Sequence, residues 1–148
     1  MIARNLSAEL TRADGTVMAL GEWMGFPYEP HYKEREARYL TYEIRVLDEI
    51  LGYLADSARD PGENIIVDTA GSVIYTGETV LERLCFHTTV GHFSTPPESH
   101  ERMLDVYKAQ PSRERWYEKY ADVTIDYYTR NQDSFGVNDF LREIEAAV

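Results

Sequence analysis

The sequence predicts an α/β fold, specifically a three-layer sandwich with a mainly parallel sheet. Short β-branched runs alternate with amphipathic helical stretches, and every connection between them is short. At 148 residues the chain is long enough to bury a sizeable core and fits one domain, 1–148. It contains no repeat, low-complexity tract or interdomain linker.

The elements follow in order. Ile2, Leu6 and Leu10 recur at four-residue spacing, the stripe of a helix over 2–12. Asp14-Gly15 signals a turn, and TVMAL (16–20) reads as a short buried strand before a loop at 21–30. The longest helical pattern covers 31–58, with Tyr39, Leu40, Val46, Leu47, Ile50, Leu51 and Leu54 on one broad face and Glu34/Arg38 as an i,i+4 pair. Asp60-Pro61-Gly62 ends it. NIIVDTAGS (64–72) runs from β-branched residues into a small-residue turn, the pattern of a parallel strand opening into a loop. Thr76 is placed to cap a helix over 78–84, and TTVGHF (88–93) gives another strand. Thr95-Pro96-Pro97 starts a helix expected to reach Lys108. A helical piece (112–120), a last strand (122–128) and a closing helix (139–147) complete the pattern.

Fifteen Lys and Arg stand against 26 Asp and Glu, a net charge of -11. That balance argues against a nonspecific nucleic-acid coat and against binding to an anionic membrane. The single cysteine, Cys85, cannot close an intrachain disulfide, and no run of about 18 apolar residues or signal sequence occurs. The cytoplasm is the default compartment.

Ligands of open parallel sheets bind beyond the carboxyl ends of the strands, which singles out Glu22, Asp68 to Ser72 and the 94–97 region. Asp68 is placed either to hold a Mg²⁺ beside a nucleotide phosphate or to cap a loop. Gly71 and Ser72 offer backbone N–H groups to an anion, or make a simple tight turn. Lys33, Arg35, Arg113 and Arg115 are candidate grips for an anionic or hydroxylated ligand. The alternative pairs them with Glu34, Glu36, Glu114 and Glu118 on solvated helix faces. His31, His87, His92 and His100 fall in no HxxxH or HExxH spacing, so a zinc site is not expected. Cys85 sits on an apolar helix face and reads as packing rather than as a nucleophile. Tyr127 and Tyr128 are candidates to line a pocket. No G-x-S-x-G elbow points to a hydrolase.

Three blocks resemble the shikimate kinase family of P-loop phosphotransferases. YKEREARYLTYEIRVLDEIL (32–51) resembles that family's substrate-binding helix with its F-R-x-x-E start. NIIVDTAGSVIYTGETVLERL (64–84) is similar to its strand, glycine-rich acceptor loop and helix. SRERWYEKYADVTID (112–126) resembles its R-x-P-L-Y followed by A-D-x-x-I/V. Together they span most of 31–128.

The resemblance implies an enzyme that moves the ATP γ-phosphate to a hydroxyl of a small metabolite, with ATP and Mg²⁺ as cofactors. It assigns acceptor binding to Lys33, with Arg35 as its neighbour, to Gly71 and Ser72 of the loop, and to Arg113. Glu22 stands for the family's D-x-D, Asp68 for a Mg²⁺ or base carboxylate, and Arg102 and Lys108 for cations of a short lid over 99–111. Lys33 replaces a bidentate arginine and Ser72 a glycine, so the implied acceptor differs from shikimate. No G-x-x-x-x-G-K-[ST] occurs in the chain. MIARNLSAEL resembles the helix that directly follows such a loop, so the implied topology is P-loop kinase-like without its first strand. That strand is central in the family's sheet, and its open neighbours call for completion by a further segment or by a homo- or hetero-oligomer. A non-catalytic binding or assembly protein derived from a kinase is the competing expectation.

Overall fold

Leucines four apart bring the first two turns of the chain together. The computed structural model describes residues 2–58, 60, 62–63, 65–94, 114–126 and 135–147, and these form two units, Met1–Val80 and Leu81–Val148. In the first unit, α1 (Ile2–Asn5) and α2 (Ser7–Leu10) are joined through Leu6. The Leu6 amide donates to the Ile2 carbonyl and the Leu10 amide to that of Leu6, both at 3.0 Å. The expected helix over 2–12 is therefore present as two short pieces ending at Leu10.

The run TVMAL does not become a strand of a sheet. Asp14 accepts hydrogen bonds from both the backbone N–H of Thr16 (2.9 Å) and its hydroxyl (2.7 Å), and Gly15 takes φ +82. Only glycine adopts that conformation without strain. The chain is thereby folded back on itself, with a single antiparallel bridge from Thr11 to Val17. Val17 is left 71% exposed, and Leu20 already starts α3 (Leu20–Met24).

α4 (Tyr32–Leu54) is the long helix the periodicity predicts, and it buries Tyr39, Val46, Leu47 and Leu51 from the expected face. It ends four residues before 58, because the Ala55 amide closes on Leu51 and the Asp56 carboxylate takes the Ala58 amide. α1, α3 and a 3₁₀ turn at Val73–Tyr75 pack on α4. Leu6, Leu10, Trp23 and Tyr39 form a core cluster there, with Met18, Leu20, Met24 and Ala70 against it.

The predicted strand at 64–68 is absent: 65–70 carries neither helix nor strand, and Ile66 is 86% exposed. A β-branched run becomes a strand only where a neighbour takes up its N–H and C=O groups. Among the described residues no strand lies beside it. Thr76 also departs from expectation, since its buried hydroxyl donates back to the Val73 carbonyl at 2.6 Å. The following helix, α5 (Glu78–His87), starts beyond it.

α5 crosses from the first unit into the second. In the second unit β1 (Gly91–Phe93) pairs in parallel with β2 (Val123–Ile125), Gly91 opposite Val123 and Phe93 opposite Ile125. The pairing extends at both ends. The Asp122 carboxylate takes the Val90 amide at 2.7 Å, and the Ser94 amide donates to the Ile125 carbonyl at 3.0 Å. α6 (Glu114–Tyr120) precedes β2, as a parallel crossover requires. α7 (Val137–Ala147) packs on the strands, with Phe140 stacked on Phe93 at 5.6 Å. It starts two residues before the expected 139, where Asp139 accepts the Gly136 amide at 2.8 Å in half of a capping box.

The fold is thus mixed α/β, mostly helical, with a two-stranded parallel sheet among the described residues. No described helix is long and apolar enough to cross a membrane. The helix expected from 95 to 108, and the end of the strand at 127–128, lie outside the described residues.

Candidate functional site

The first turn of α4 and the end of α3 enclose a polar cleft of about 250 Å³ lined by Glu9, Trp23, His31, Glu34, Arg35 and Arg38. Helical spacing explains the grouping. Residues 31, 34, 35 and 38 fall on one stripe of α4, and the cluster of Leu6, Leu10, Trp23 and Tyr39 sets α3 beside that stripe. The Arg35 guanidinium donates to the Trp23 carbonyl and lies 5.9 Å from the centre of the Trp23 ring. Arg38 turns to Glu9 at 2.9 Å rather than completing the i,i+4 pair expected with Glu34. Tyr42 donates to the same Glu9 oxygen at 3.2 Å. Two guanidinium groups and two carboxylates line the cleft together with the Trp23 indole, so the formal charges of these four groups balance.

Further along α4, the small-residue loop is seated on the helix. The Ser72 hydroxyl donates to the Glu43 carboxyl at 2.7 Å. Glu43 is 2% exposed. Burial pushes its carboxyl up from its ordinary range, and the Ser72 hydrogen bond acts in the opposite direction. Burial, together with the Glu43 charge, likewise pushes the Tyr39 phenol up. Ala70 packs against the cluster that holds Trp23 and Tyr39.

Of the residues singled out by sequence, Arg35 lines the cleft, while Lys33 beside it is exposed. Glu22, also exposed, forms an ion pair with Arg12. Gly71 and Ser72 lie on the loop, with the Ser72 hydroxyl directed to Glu43. Asp68 is exposed, before the loop. Arg102, Lys108 and Arg113 lie outside the described residues, as does His100. Arg115 is exposed on α6. His87 meets Phe86 edge-on at 4.9 Å and His92 stacks on Tyr117 at 4.9 Å, which are packing contacts. The Cys85 thiol is pushed up by burial and by the Asp122 charge and reaches toward the Tyr120 carbonyl at 3.5 Å, consistent with packing.

Among the described residues no three His, Cys, Asp or Glu side chains gather as a metal cage requires. Mg²⁺ beside a nucleotide needs only one or two protein carboxylates, phosphates and water supplying the rest. Asp68 is a single exposed carboxylate.

Sequence reasoning did not single out Glu9, Trp23, Arg38 or Glu43 as site residues. For Glu43 a signal existed: it stands four residues from both Tyr39 and Leu47, inside the apolar stripe of α4. Trp23 and Glu9 gave none, because their approach to α4 depends on the hairpin at Asp14-Gly15. Comparison with protein-family models, curated proteins and solved structures finds no match to this chain.

Proposed function

We propose that the chain is a shikimate kinase-like phosphotransferase that moves the ATP γ-phosphate to a hydroxyl of a small metabolite held in the α4 cleft. The observation that carries the reading is the lining of that cleft. Balanced donors and acceptors around Trp23 suit a neutral polyhydroxylated ring better than a multiply charged anion, because every hydroxyl is both donor and acceptor. The contact between α4 and the 3₁₀ turn adds support, since it joins two of the blocks on which the family resemblance rests.

In this reading Arg35 and Arg38 donate to acceptor hydroxyls, Glu34 accepts from them, and the loop at Gly71 and Ser72 closes one side. Lys33 and Arg113 are acceptor grips, Glu22 is a Mg²⁺ or base carboxylate, and Arg102 and Lys108 are the cations offered to the transferring phosphoryl group. ATP would supply that group, and Asp68 would hold a Mg²⁺ that offsets its charge. The finer fold that goes with this function is the three-layer P-loop kinase-like sandwich.

Incubating the protein with Mg-ATP and a panel of cyclic polyols, followed by phosphorus NMR, tests the proposal. Formation of ADP together with a sugar-type phosphomonoester is the expected result, and Mg-ATP at a concentration well above Kd should raise Tm. Absence of both product and Tm shift overturns it.

The competing reading, a non-catalytic assembly protein, is favoured by the exposure of Val17 and Ile66 in two β-branched runs that join no sheet among the described residues. A homo- or hetero-oligomeric partner adding a strand there would bury both. A concentration-dependent mass in sedimentation, with no response to Mg-ATP, is the outcome that selects it.

A further inference from the structure

A carboxyl group at the centre of an apolar helix face is an expensive way to stabilise a fold. One hydrogen bond from a neutral hydroxyl returns less than the burial of the carboxyl costs, and an apolar residue of the same shape would pack there at no such cost. Glu43, 2% exposed, therefore needs an explanation other than stability.

The 70–76 segment supplies one. Its internal hydrogen bonds close on themselves: Val73 amide to Ala70 carbonyl (3.0 Å), Tyr75 amide to Ser72 carbonyl (2.8 Å), Thr76 amide to Val73 carbonyl (3.0 Å). These bonds shape the loop from within. Val73 and Ile74 are buried, yet apolar contacts are non-directional and tolerate rotation of the loop about them. A directional contact onto α4 is the Ser72 hydroxyl, donating to the Glu43 carboxyl at 2.7 Å. Two residues earlier, Ala70 rests on the cluster containing Trp23, the indole of the cleft.

We propose that Glu43 is a positioning residue which, through Ser72, holds the 70–76 loop in register on α4 and thereby keeps Ala70 against the core cluster to which Trp23 belongs. The importance of that register for catalysis rests on the reading of the cleft as an acceptor site. The positioning itself does not, and its test needs no turnover.

Amide hydrogen exchange and Trp23 emission are measured on the full chain, the latter in a Trp116→Phe background, for Ser72→Ala, Glu43→Leu and Glu43→Gln. Ser72→Ala and Glu43→Leu should each speed exchange at Val73, Tyr75 and Thr76 about tenfold, as loss of one hydrogen bond of ordinary strength predicts, and should shift the Trp23 emission. Exchange in the middle of α4, at Leu47 and Leu51, should stay as in the parent. Glu43→Gln keeps an acceptor oxygen facing Ser72 and should restore both signals. Unchanged loop exchange in Ser72→Ala overturns the proposal, as does equal loosening of loop and helix, which marks a merely structural residue. Where Glu43→Leu fails to fold, Ser72→Ala and Glu43→Gln decide the matter. If the loop signals behave as expected and no polyol is phosphorylated, the phosphotransfer reading falls and the positioning role stands.

Discussion

Two glutamates twenty-one positions apart show how differently the same side chain is used in this unit. Glu22 is exposed and paired with the Arg12 guanidinium. Glu43 is buried, and the contact seen at its carboxyl is a neutral hydroxyl. The Glu43 carboxyl is pushed above its ordinary protonation range, and burial is the leading cause. A formal ion pair in water therefore says less about a carboxylate than the medium around it. The exposed pair is screened and contributes little, whereas the buried group responds to each change in its surroundings.

The comparison can be broken by substitution. Glu43→Ala should show the largest effect, a destabilisation of about 1–3 kcal/mol in urea unfolding, since it leaves a cavity and strands the Ser72 hydroxyl. The pH dependence should come next. Because folding raises the Glu43 pKa above its ordinary value near 4.5, its protonated form favours the folded chain. That contribution is fully present below the unfolded value and is lost as pH rises through the folded one. Wild-type stability should thus fall with rising pH across that window, by at most about 1.4 kcal/mol per pH unit for one proton. In Glu43→Gln this component should be flat, and a slope equal to wild type would remove Glu43 as its source.

Smaller effects sharpen the other side. Arg38→Met breaks the contact with Glu9, which is only 20% exposed, and should cost about 1 kcal/mol, partly retained in high salt. Glu22→Gln removes the exposed pair and should change stability by less than about 0.5 kcal/mol, vanishing in 1 M salt. A cost of 2 kcal/mol there would mean that the Arg12 contact fixes the hairpin.

Part of this arrangement was legible in the sequence. The periodicity from Tyr39 to Leu51 encodes α4 because a helix of 23 residues presents its apolar face through local spacing alone. The pair Asp14-Gly15 encodes its turn for the same local reason. The strands at 16–20 and 64–68 were misread, because β-branched content describes a residue's fitness for a sheet and not the presence of a neighbour. VTI at 123–125 has that neighbour in Gly91–Phe93, whereas Ile65 and Ile66 have none among the described residues. Within the site Arg35 was legible as a cation at the start of a helix. Glu9 and Trp23 were not, since their place follows from tertiary packing.

The parallel register that sets Gly91 opposite Val123 also has a kinetic meaning. Bringing together residues about 32 positions apart costs roughly 3 kcal/mol of loop-closure entropy before any ladder bond repays it. The turns of α4 close over four residues, at roughly 1.2 kcal/mol by the same relation. The helical first unit should therefore order early in folding and the β1–β2 pair late, with the second unit setting the pace at which the native state is reached.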